Sequence, residues 1–183
     1  MIKIIAISGK RESGKSSLAK FLEPYGYTRV SLADPLKDMC KELYGLHEDQ
    51  VRGCLKESPT QYRRLDGSFY TPRDILIREG CLKRSIDPDF WCKKLEDRIA
   101  SVNNNKLVID DIRFLNEIAY FKKLGAKFVR LERSQEAIGK AALDDLSETE
   151  LDSYKEWDAI LLPQFNRNLD DLKQFAEYIV ESL

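Results

Sequence analysis

The segment Gly9–Ser16 constrains the fold of this chain more than any other part of its sequence. It reads GKRESGKS and matches G-x-x-x-x-G-K-[ST], the pattern of a phosphate-binding loop. Residues 2–7 before it are rich in β-branched side chains, which is typical of a buried parallel strand, and residues 17–22 after it have the apolar spacing of a helix. A strand, a glycine-rich loop and a helix start direct backbone N–H groups and a partial positive charge at a phosphate. The sequence therefore predicts a nucleoside triphosphate site rather than a plain glycine turn.

The residue types of this loop predict separate roles within the site. Gly9 and Gly14 allow the backbone to wrap around a triphosphate, Lys15 is expected to reach the β- and γ-phosphates, and the Ser16 hydroxyl is expected to ligate Mg²⁺. ATP and Mg²⁺ are therefore the expected cofactors. The residues predicted to bind them are Gly9, Lys10, Glu12, Ser13, Gly14, Lys15, Ser16 and Ser17, with Arg130 further along the chain.

Length and composition disfavour several other classes of protein. A chain of 183 residues can bury one sizeable α/β core without disulfides or structural metals. Its formal net charge is −1 although 33% of its residues are charged, and this balance disfavours a polyanionic duplex as the substrate. The four cysteines lie far apart and His47 is the single histidine, so neither a zinc site nor a histidine-based mechanism is expected. No signal peptide or membrane-spanning stretch is read in the sequence, and we expect a cytoplasmic protein.

Hydrophobic periodicity predicts strands that alternate with helices along the whole chain. Further strands are predicted at 27–32, 107–111, 127–131 and 158–162, and helices at 34–44, from 71, from 87, at 116–124 and at 169–183. Asp34 is expected to cap the first of these helices, and 48–70 is expected to be irregular. The pattern predicts one α/β domain with a mostly parallel central sheet and helices on both faces.

Two adjacent carboxylates, Asp110 and Asp111, end the predicted strand 107–111 in the manner of a Walker B segment. A carboxylate at that position can hold Mg²⁺ while Ser16 holds its other side, and both acids are candidate metal ligands. The alternative is a capping aspartate with a surface ion pair. Asp111 begins a D-x-R pattern that ends at Arg113, so we expect the loss of Asp111 to be more costly than the loss of Asp110.

Arginines are frequent where a second substrate would bind, and their planar guanidinium matches phosphate oxygens. In this first group of arginines, Arg73, at the start of a predicted helix, is favoured for phosphate contact. For each other member of the group, a solvated surface role fits the sequence equally well. A second group, Arg130 and Arg133, flanks the end of the strand 127–131 and could fold over a bound triphosphate. The arginines of the first group are Arg63, Arg64, Arg73, Arg78 and Arg84.

With these residues in place, the chain resembles the deoxynucleoside monophosphate kinases of tailed bacteriophages, a branch of the adenylate-kinase-like P-loop kinases. The resemblance runs nearly end to end, and D-x-R-F-x-N-E over 111–117 is its most specific motif. The chain departs from the family at Ile77, where Gln is frequent, and at Pro163, where Asn is frequent. The other matching segments are 7–17, 32–37, 71–73 with Gly80, 87–91, Ser147-Glu148 and Asp158.

The resemblance implies an adenylate-kinase-like three-layer fold with an acceptor-binding helical region around 38–100 and a lid around 134–155. It implies that Asp34 orients the acceptor and that Lys37 lies near its phosphate. The implied catalytic set is Lys15, Asp34, Asp111, Arg113 and Arg133. The implied substrate-binding set is Asp34, Lys37, Arg63, Arg73, Arg78, Trp91, Arg113, Asn116 and Glu117.

The function that these features predict is transfer of the ATP γ-phosphoryl group to a deoxynucleoside monophosphate, a small-molecule substrate. One alternative keeps the fold and phosphorylates 5-hydroxymethyluracil within phage DNA, which would need a basic track for the strand. Another is a nucleotide-binding switch that hydrolyses ATP slowly, although the D-x-R-F-x-N-E motif favours a kinase. A phosphomevalonate kinase is a more distant alternative. A phage-encoded enzyme would act in the host cytoplasm, and the sequence leaves a homodimer open.

Overall fold

The structure, a computed structural model, describes residues 2–133 and 146–183. Five strands form one parallel sheet in the order β2-β3-β1-β4-β5, which confirms the predicted fold class. The central strand β1 pairs with β3 on one side and β4 on the other, so the loop that follows β1 leaves the middle of the sheet. The strands are β1 (Lys3–Gly9), β2 (Thr28–Val30), β3 (Lys106–Ile112), β4 (Lys127–Leu131) and β5 (Ala159–Leu161).

Eight α-helices are described, and their starts and ends follow local sequence signals. Thr71 and Asn168 cap α4 and α8 through their side chains, and Gly45 and Gly125 adopt the left-handed conformation just after α2 and near the end of α6. Short 3₁₀ turns lie at Glu23–Tyr25, Cys54–Glu57, Glu150–Ser153 and Pro163–Phe165. The helices are α1 (Lys15–Leu22), α2 (Ala33–Tyr44), α3 (Glu48–Val51), α4 (Pro72–Ile86), α5 (Phe90–Ser101), α6 (Leu115–Lys123), α7 (Leu146–Thr149) and α8 (Leu169–Ser182).

The main core lies on the face of the sheet that α1 and α8 cover. Ile5 and Ile7 of β1 are fully buried there against Leu18 of α1 and Ile179 of α8. Alternate residues of a strand face opposite sides, yet Ile4 on the other face is buried as well. Burial on both faces is what a parallel strand of continuous hydrophobic residues predicts. The loop after β1 is therefore anchored on a rigid strand and a tightly packed helix.

The chain divides into two compact units. The first contains the sheet and comprises the residues up to 31 and from 98 onwards, and the second comprises Leu32–Asp97. A small core of buried Cys40, Leu46, Val51 and Ile75 holds the second unit together. This unit covers most of the region 38–100 that the resemblance assigns to the acceptor. Of the predicted lid, residues 134–145 lie outside the described residues.

Three local predictions differ from the structure. Leu32, not Asp34, occupies the N-cap of α2, and Asp34 lies in its first turn, where a carboxylate still faces the positive end of the helix. The stretch 48–70 is not wholly irregular, since α3 and the Cys54–Glu57 turn form within it. Strand β3 continues to Ile112, so Asp110 and Asp111 lie inside the strand rather than at its tip.

Candidate active site

The loop Gly9–Ser16 turns tightly from β1 into α1, and it requires glycine at position 9 for space and at position 14 for its positive φ. A Cβ on Gly9 would collide with Ser13 Oγ and would lie 2.7 Å from Leu131 O. A Cβ on Gly14, whose φ is +98°, would lie 2.8 Å from Leu172 Cδ1 on α8. Glu12 at the turn also has a positive φ of 63°. Packing and backbone conformation together fix the loop in the shape of a phosphate cradle.

Lys15 folds back over this loop. Its Nζ donates hydrogen bonds to the carbonyls of Gly9 at 2.7 Å and Lys10 at 2.6 Å, and only 9% of the residue is exposed. Burial and then the positive charge of Arg113 lower the pKa of Lys15 from 10.5 to about 7. The carboxylates of Glu148, Asp110 and Asp111 act in the opposite direction. Lys15 is therefore a cation whose charge depends on the anions close to it.

Asp110 faces the start of α1. Its Oδ2 accepts hydrogen bonds from Ser16 Oγ at 3.0 Å and from Arg29 Nε at 2.7 Å. Its Oδ1 is buried and has no hydrogen-bond partner among the described residues. A buried carboxylate oxygen without a partner is costly, and it points to a ligand, such as a cation or a water, that would complete the site. A magnesium ion that also binds phosphate oxygens fits this pair of oxygen donors.

Asp111 makes a different contact, because the next residue of a strand points to the opposite face. Its Oδ2 accepts a hydrogen bond from Ser31 Oγ at 2.6 Å. The structure therefore places Asp110, and not Asp111, at the hydroxyl of Ser16. On this geometry we now expect Asp110, rather than Asp111, to be the more important of the two for the metal.

Glu148 joins the loop to the segment that follows β3. Its Oε2 accepts a hydrogen bond from the backbone N–H of Arg11 at 2.7 Å, and its Oε1 accepts one from Arg113 Nη1. The side chains of Glu148 and Arg113 are only 11% and 24% exposed. Glu148 was not among the predicted site residues and was noted only as part of the Ser147-Glu148 segment of the resemblance.

A second carboxylate of the same segment, Asp152, contacts two further cations. Its Oδ2 lies 2.8 Å from Lys10 Nζ and its Oδ1 accepts a hydrogen bond of 2.8 Å from Arg130 Nη2. Arg130 is buried and also donates to Ser8 Oγ at 3.1 Å. These groups border a cavity of about 280 Å³ with partly aromatic and apolar walls. Its lining includes Lys10, Arg130, Arg133, Tyr154, Trp157 and Pro163.

Two more side chains hold the outer part of the loop. Arg133 Nη1 donates to the carbonyl of Glu12 at 2.8 Å, which keeps this guanidinium beside the loop. The amide of Asn166, which the sequence analysis did not select, donates to the carbonyls of Ser13 at 3.0 Å and Glu132 at 2.8 Å. Asn166 lies three residues after Pro163, the position where the bacteriophage family often has asparagine. Ser17 lies in the first turn of α1.

Glu117 stabilises the backbone at the start of α6. Its carboxylate accepts the backbone N–H groups of Arg113 at 2.7 Å and Phe114 at 3.1 Å, which caps the start of α6. The residue is only 2% exposed. Glu117 thus fixes the backbone that carries Arg113, and this geometry disfavours a direct substrate contact. Asn116 lies beside it in the first turn of α6.

In the second unit, Asp34 is the centre of a small network of charges. Arg52 Nη2 donates to Asp34 Oδ1 at 3.3 Å and to Asp38 Oδ1 at 3.0 Å, and Lys37 Nζ lies 3.7 Å from Asp34. Asp34 and Lys37 therefore lie close together on α2, and their roles toward an acceptor stay predictions. Arg52 was noted in the sequence only as part of a charged stretch.

The predicted acceptor arginines have partners within the second unit. Arg73, at the start of α4, pairs with Glu57. Arg63 lies 4.8 Å from the ring centroid of Phe69, and Arg78 lies 5.9 Å from that of Tyr70. These three side chains belong to one unit but do not converge on one partner.

Trp91 does not have the exposure that a substrate-binding residue needs. It is 2% exposed, and its Nε1 donates a hydrogen bond to the carbonyl of Gly80 at 3.2 Å. The indole instead fixes α5 against α4, and the prediction that it contacts substrate needs correction on this ground.

Comparisons with known proteins support this fold. One relative is a protein of Acanthamoeba polyphaga mimivirus named "Putative deoxynucleotide monophosphate kinase". It is 31% identical to this chain over an aligned length of 193, and the alignment covers 97% of this chain and 94% of that protein. TT1252 from Thermus thermophilus has a similar structure, with a TM-score of 0.57 at 20% identity over 100% of this chain and 98% of the other. Dephospho-CoA kinase from Campylobacter jejuni has a TM-score of 0.52 at 15% identity over 98% and 96% of the two chains. No protein-family model matches the sequence.

The parallel sheet and the loop after its central strand define a P-loop kinase, a phosphotransferase that binds nucleotides. The extent and identity of the match to the mimivirus protein make the family more specific: this chain belongs to the deoxynucleotide monophosphate kinases. The restriction to bacteriophages that the sequence suggested is not shown. Among the described residues, no helix has the length and apolar character needed to cross a membrane.

Proposed function

We propose that the protein transfers the γ-phosphoryl group of ATP to the 5′-phosphate of a deoxynucleoside monophosphate. The observation that supports this most is the convergence of Lys15, Ser16 and Asp110 at the loop after β1, where one buried carboxylate oxygen has no hydrogen-bond partner within residues 2–133 and 146–183. A loop amide or an ammonium alone would bind many anions. The added oxygen donors favour a triphosphate that arrives with a metal ion.

The reaction is a direct displacement. An oxygen of the acceptor phosphate bonds to the γ-phosphorus, the bond from that phosphorus to the β–γ bridging oxygen breaks, and ADP leaves with the bonding electron pair. A phosphate monoester is already ionised near neutral pH, so the chain needs no strong general base. Its residues act by holding the two substrates in line and by neutralising charge.

We assign a role in this reaction to residues of the loop and to the charged residues beside it. The ammonium of Lys15 neutralises charge on the β- and γ-phosphates, and Arg113 and Arg133 stabilise the charge of the transferring group. Ser16 and Asp110 would hold Mg²⁺, which when bound draws negative charge from the phosphate oxygens. The cavity of about 280 Å³ beside Lys10 and Arg133 has a size and walls that suit the nucleoside of ATP.

We propose that residues of the second unit bind the acceptor. Asp34, Lys37 and the arginine-rich start of α4 supply an acidic group for a sugar or base and cations for a monophosphate. None of the comparisons supports the alternative in which a base within DNA is phosphorylated. A deoxynucleoside monophosphate therefore remains the acceptor class that we propose.

Purified protein should be incubated with ATP, Mg²⁺ and each deoxynucleoside or ribonucleoside monophosphate in turn, and ADP release should be measured. We expect transfer to at least one deoxynucleoside monophosphate. Lys15→Ala should abolish that transfer and leave the circular dichroism spectrum unchanged, because the ammonium contacts loop carbonyls and not the core. Activity of this variant within about threefold of wild type, where the loss of a charge-assisted contact predicts much more, would contradict the loop assignment.

A further inference from the structure

Glu148 occupies a position that is built for a phosphoryl group. Its two carboxylate oxygens accept the backbone N–H of Arg11, which belongs to the phosphate-binding loop, and the guanidinium of Arg113. It also acts electrostatically on the Lys15 ammonium. A loop amide, a guanidinium and an ammonium around one anion are the partners that a terminal phosphate takes in sites of this kind.

The charges of the site explain why an internal anion is bound there. Lys15 and Arg113 repel each other, as the effect of Arg113 on the Lys15 ammonium shows. Glu148 neutralises this pair from a position where its side chain is only 11% exposed. A triphosphate brings more negative charge than the two cations carry, and the carboxylate would then lie against an anion of the same sign.

The segment that carries Glu148 has a second carboxylate, four residues further on, that also binds a group of the loop. Asp152, in the Glu150–Ser153 turn, binds Lys10 of the loop with its Oδ2 and Arg130 with its Oδ1. Two carboxylates of the segment 146–153 thus bind cationic or N–H groups of one loop, Gly9–Ser16. Glu150, which lies between them, accepts the backbone N–H of Leu115 at 2.8 Å instead.

We infer that Glu148 is an internal ligand that competes with the terminal phosphate of the nucleotide for Arg11 N–H and Arg113, so that nucleotide binding displaces it and releases the segment 146–153 from the loop. The inference rests on the proposed function, because it takes the loop to be a triphosphate site. Affinity for nucleotide is reduced by the fraction of molecules in which Glu148 holds the site. The same displacement would couple this segment, which lies within the predicted lid region 134–155, to the presence of ATP.

The test compares Glu148→Gln with wild type in the binding of ATP and of inorganic tripolyphosphate by isothermal titration calorimetry. Glutamine keeps the size and the hydrogen-bonding oxygen but removes the charge. We expect Kd for both ligands to fall about tenfold in Glu148→Gln, since the competing anion is lost. The matched control is Glu150→Gln, which makes the same charge change two residues away and should leave Kd within about twofold, because its hydrogen-bond partner is the Leu115 N–H and not a group of the loop or Arg113.

The opposite results would overturn the inference. An unchanged or higher Kd with a lower kcat would mean that Glu148 positions Arg113 for catalysis instead of competing with phosphate. If wild type bound neither ATP nor tripolyphosphate, the proposed function would fail together with the inference. If wild type bound both and Glu148→Gln bound no better, only the inference would fail.

A second measurement uses wild-type protein and no variant. Hydrogen exchange of peptides that cover 146–153 should become faster when tripolyphosphate binds, because the contacts of Glu148 with the loop are lost. Peptides of the loop itself should exchange more slowly. Unchanged or slower exchange at 146–153 would show that the carboxylate stays in place beside the phosphate.

Discussion

Lys15 combines two properties that oppose each other. It must be charged to bind phosphate, yet burial and Arg113 lower its pKa to about 7. The unfolded chain keeps its lysines protonated up to about pH 10.4, so between about pH 7 and 10.4 the unfolded state binds more protons than the folded state. The contribution of Lys15 to the free energy of unfolding therefore rises with pH in this range. Without ligand, the charged form of Lys15 is the costly one.

Binding of ATP should make the charged form of Lys15 the more stable one and should therefore cause proton uptake. Phosphate oxygens beside Lys15 stabilise the ammonium and raise its pKa, so at pH 8 the complex should take up about half to one proton. Calorimetry in buffers of different ionisation enthalpy measures this number. Lys15→Arg, whose guanidinium is always charged, is the control and should show no uptake from this position. Equal uptake in both proteins would place the titrating group elsewhere.

Asp110 and Asp111 should differ when each is changed to asparagine. Asp110→Asn removes charge from the carboxylate beside Ser16, and we expect kcat to fall about ten- to a hundredfold and the Mg²⁺ requirement to rise, as for loss of a charge-assisted contact. Asp111→Asn keeps an acceptor for Ser31 and should have the smaller effect. Mg²⁺ titrations of activity measure both. A larger loss for Asp111→Asn would restore the order that the D-x-R pattern suggested.

Arg73→Ala tests the acceptor side. If Arg73 leaves Glu57 to bind the acceptor phosphate, KM for the monophosphate should rise about ten- to a hundredfold and KM for ATP should change little. Steady-state kinetics with each substrate varied separately give both constants. Arg73→Lys keeps the charge without the planar fork and should lie between the two. An equal rise in both KM values would indicate a structural role for the Arg73–Glu57 pair.

Helix α4 offers a test of stability that is separate from chemistry. Thr71 Oγ1 accepts the N–H of Asp74 at 3.2 Å, and Asp74 Oδ2 accepts the N–H of Thr71 at 2.8 Å, which forms a capping box. The Thr71 N–H, and then Arg64, lower the pKa of Asp74 to about 2. This carboxylate therefore stabilises the helix above about pH 3.8, and its contribution is lost as the pH falls towards 2.

Thr71→Ala should lower the free energy of unfolding of the second unit by about 1 kcal/mol at pH 7, the usual effect of losing an N-cap oxygen. Trp91 is buried in this unit, so its fluorescence in a Trp157→Phe background reports the transition in urea. Thr71→Ser retains the oxygen and should restore most of the loss. An unchanged urea midpoint in Thr71→Ala would mean that the cap adds nothing to this unit.

Most strands and helices could be predicted because their signals are local. The apolar run before Gly9, the helix after Ser16 and the caps at Thr71 and Gly125 depend on residues within a few positions of each other. Strand and helix limits shifted by one or two residues. The alternation of side chains along β3 puts Asp110 at Ser16, whereas the sequence left both acids as candidate ligands.

The contacts that complete the site could not be predicted from the sequence. Glu148 lies 137 positions from its partner Arg11, and Asn166 lies 153 positions from Ser13. No periodicity or spacing links residues so far apart, and a carboxylate in an acidic stretch has no local mark that separates it from its neighbours. For Glu148, only the resemblance of Ser147-Glu148 to a family motif could have drawn attention to it.

Pairing of opposite charges runs through both units. Lys10 pairs with Asp152, Arg29 with Asp110, Arg52 with Asp34 and Asp38, and Arg64 with Asp74. In these pairs of described residues, acidic and basic side chains lie side by side, in keeping with the net charge of −1. Such a surface suits a ligand that meets a few enclosed cations and gives little attraction to an extended polyanion.

The salt dependence of activity should follow from this distribution of charge. Transfer to a deoxynucleoside monophosphate should change less than about threefold between 50 and 200 mM salt, because its contacts are few and partly buried, where screening is weak. A DNA acceptor would release counterions at every backbone contact, and six or more such contacts would lower affinity by about a thousandfold or more over that range. The measurement is ADP release with saturating ATP and subsaturating acceptor at each salt concentration, with hydroxymethylated DNA as the comparison acceptor. Activity that requires the polymer and falls steeply with salt would overturn the proposed acceptor and leave the P-loop kinase fold in place.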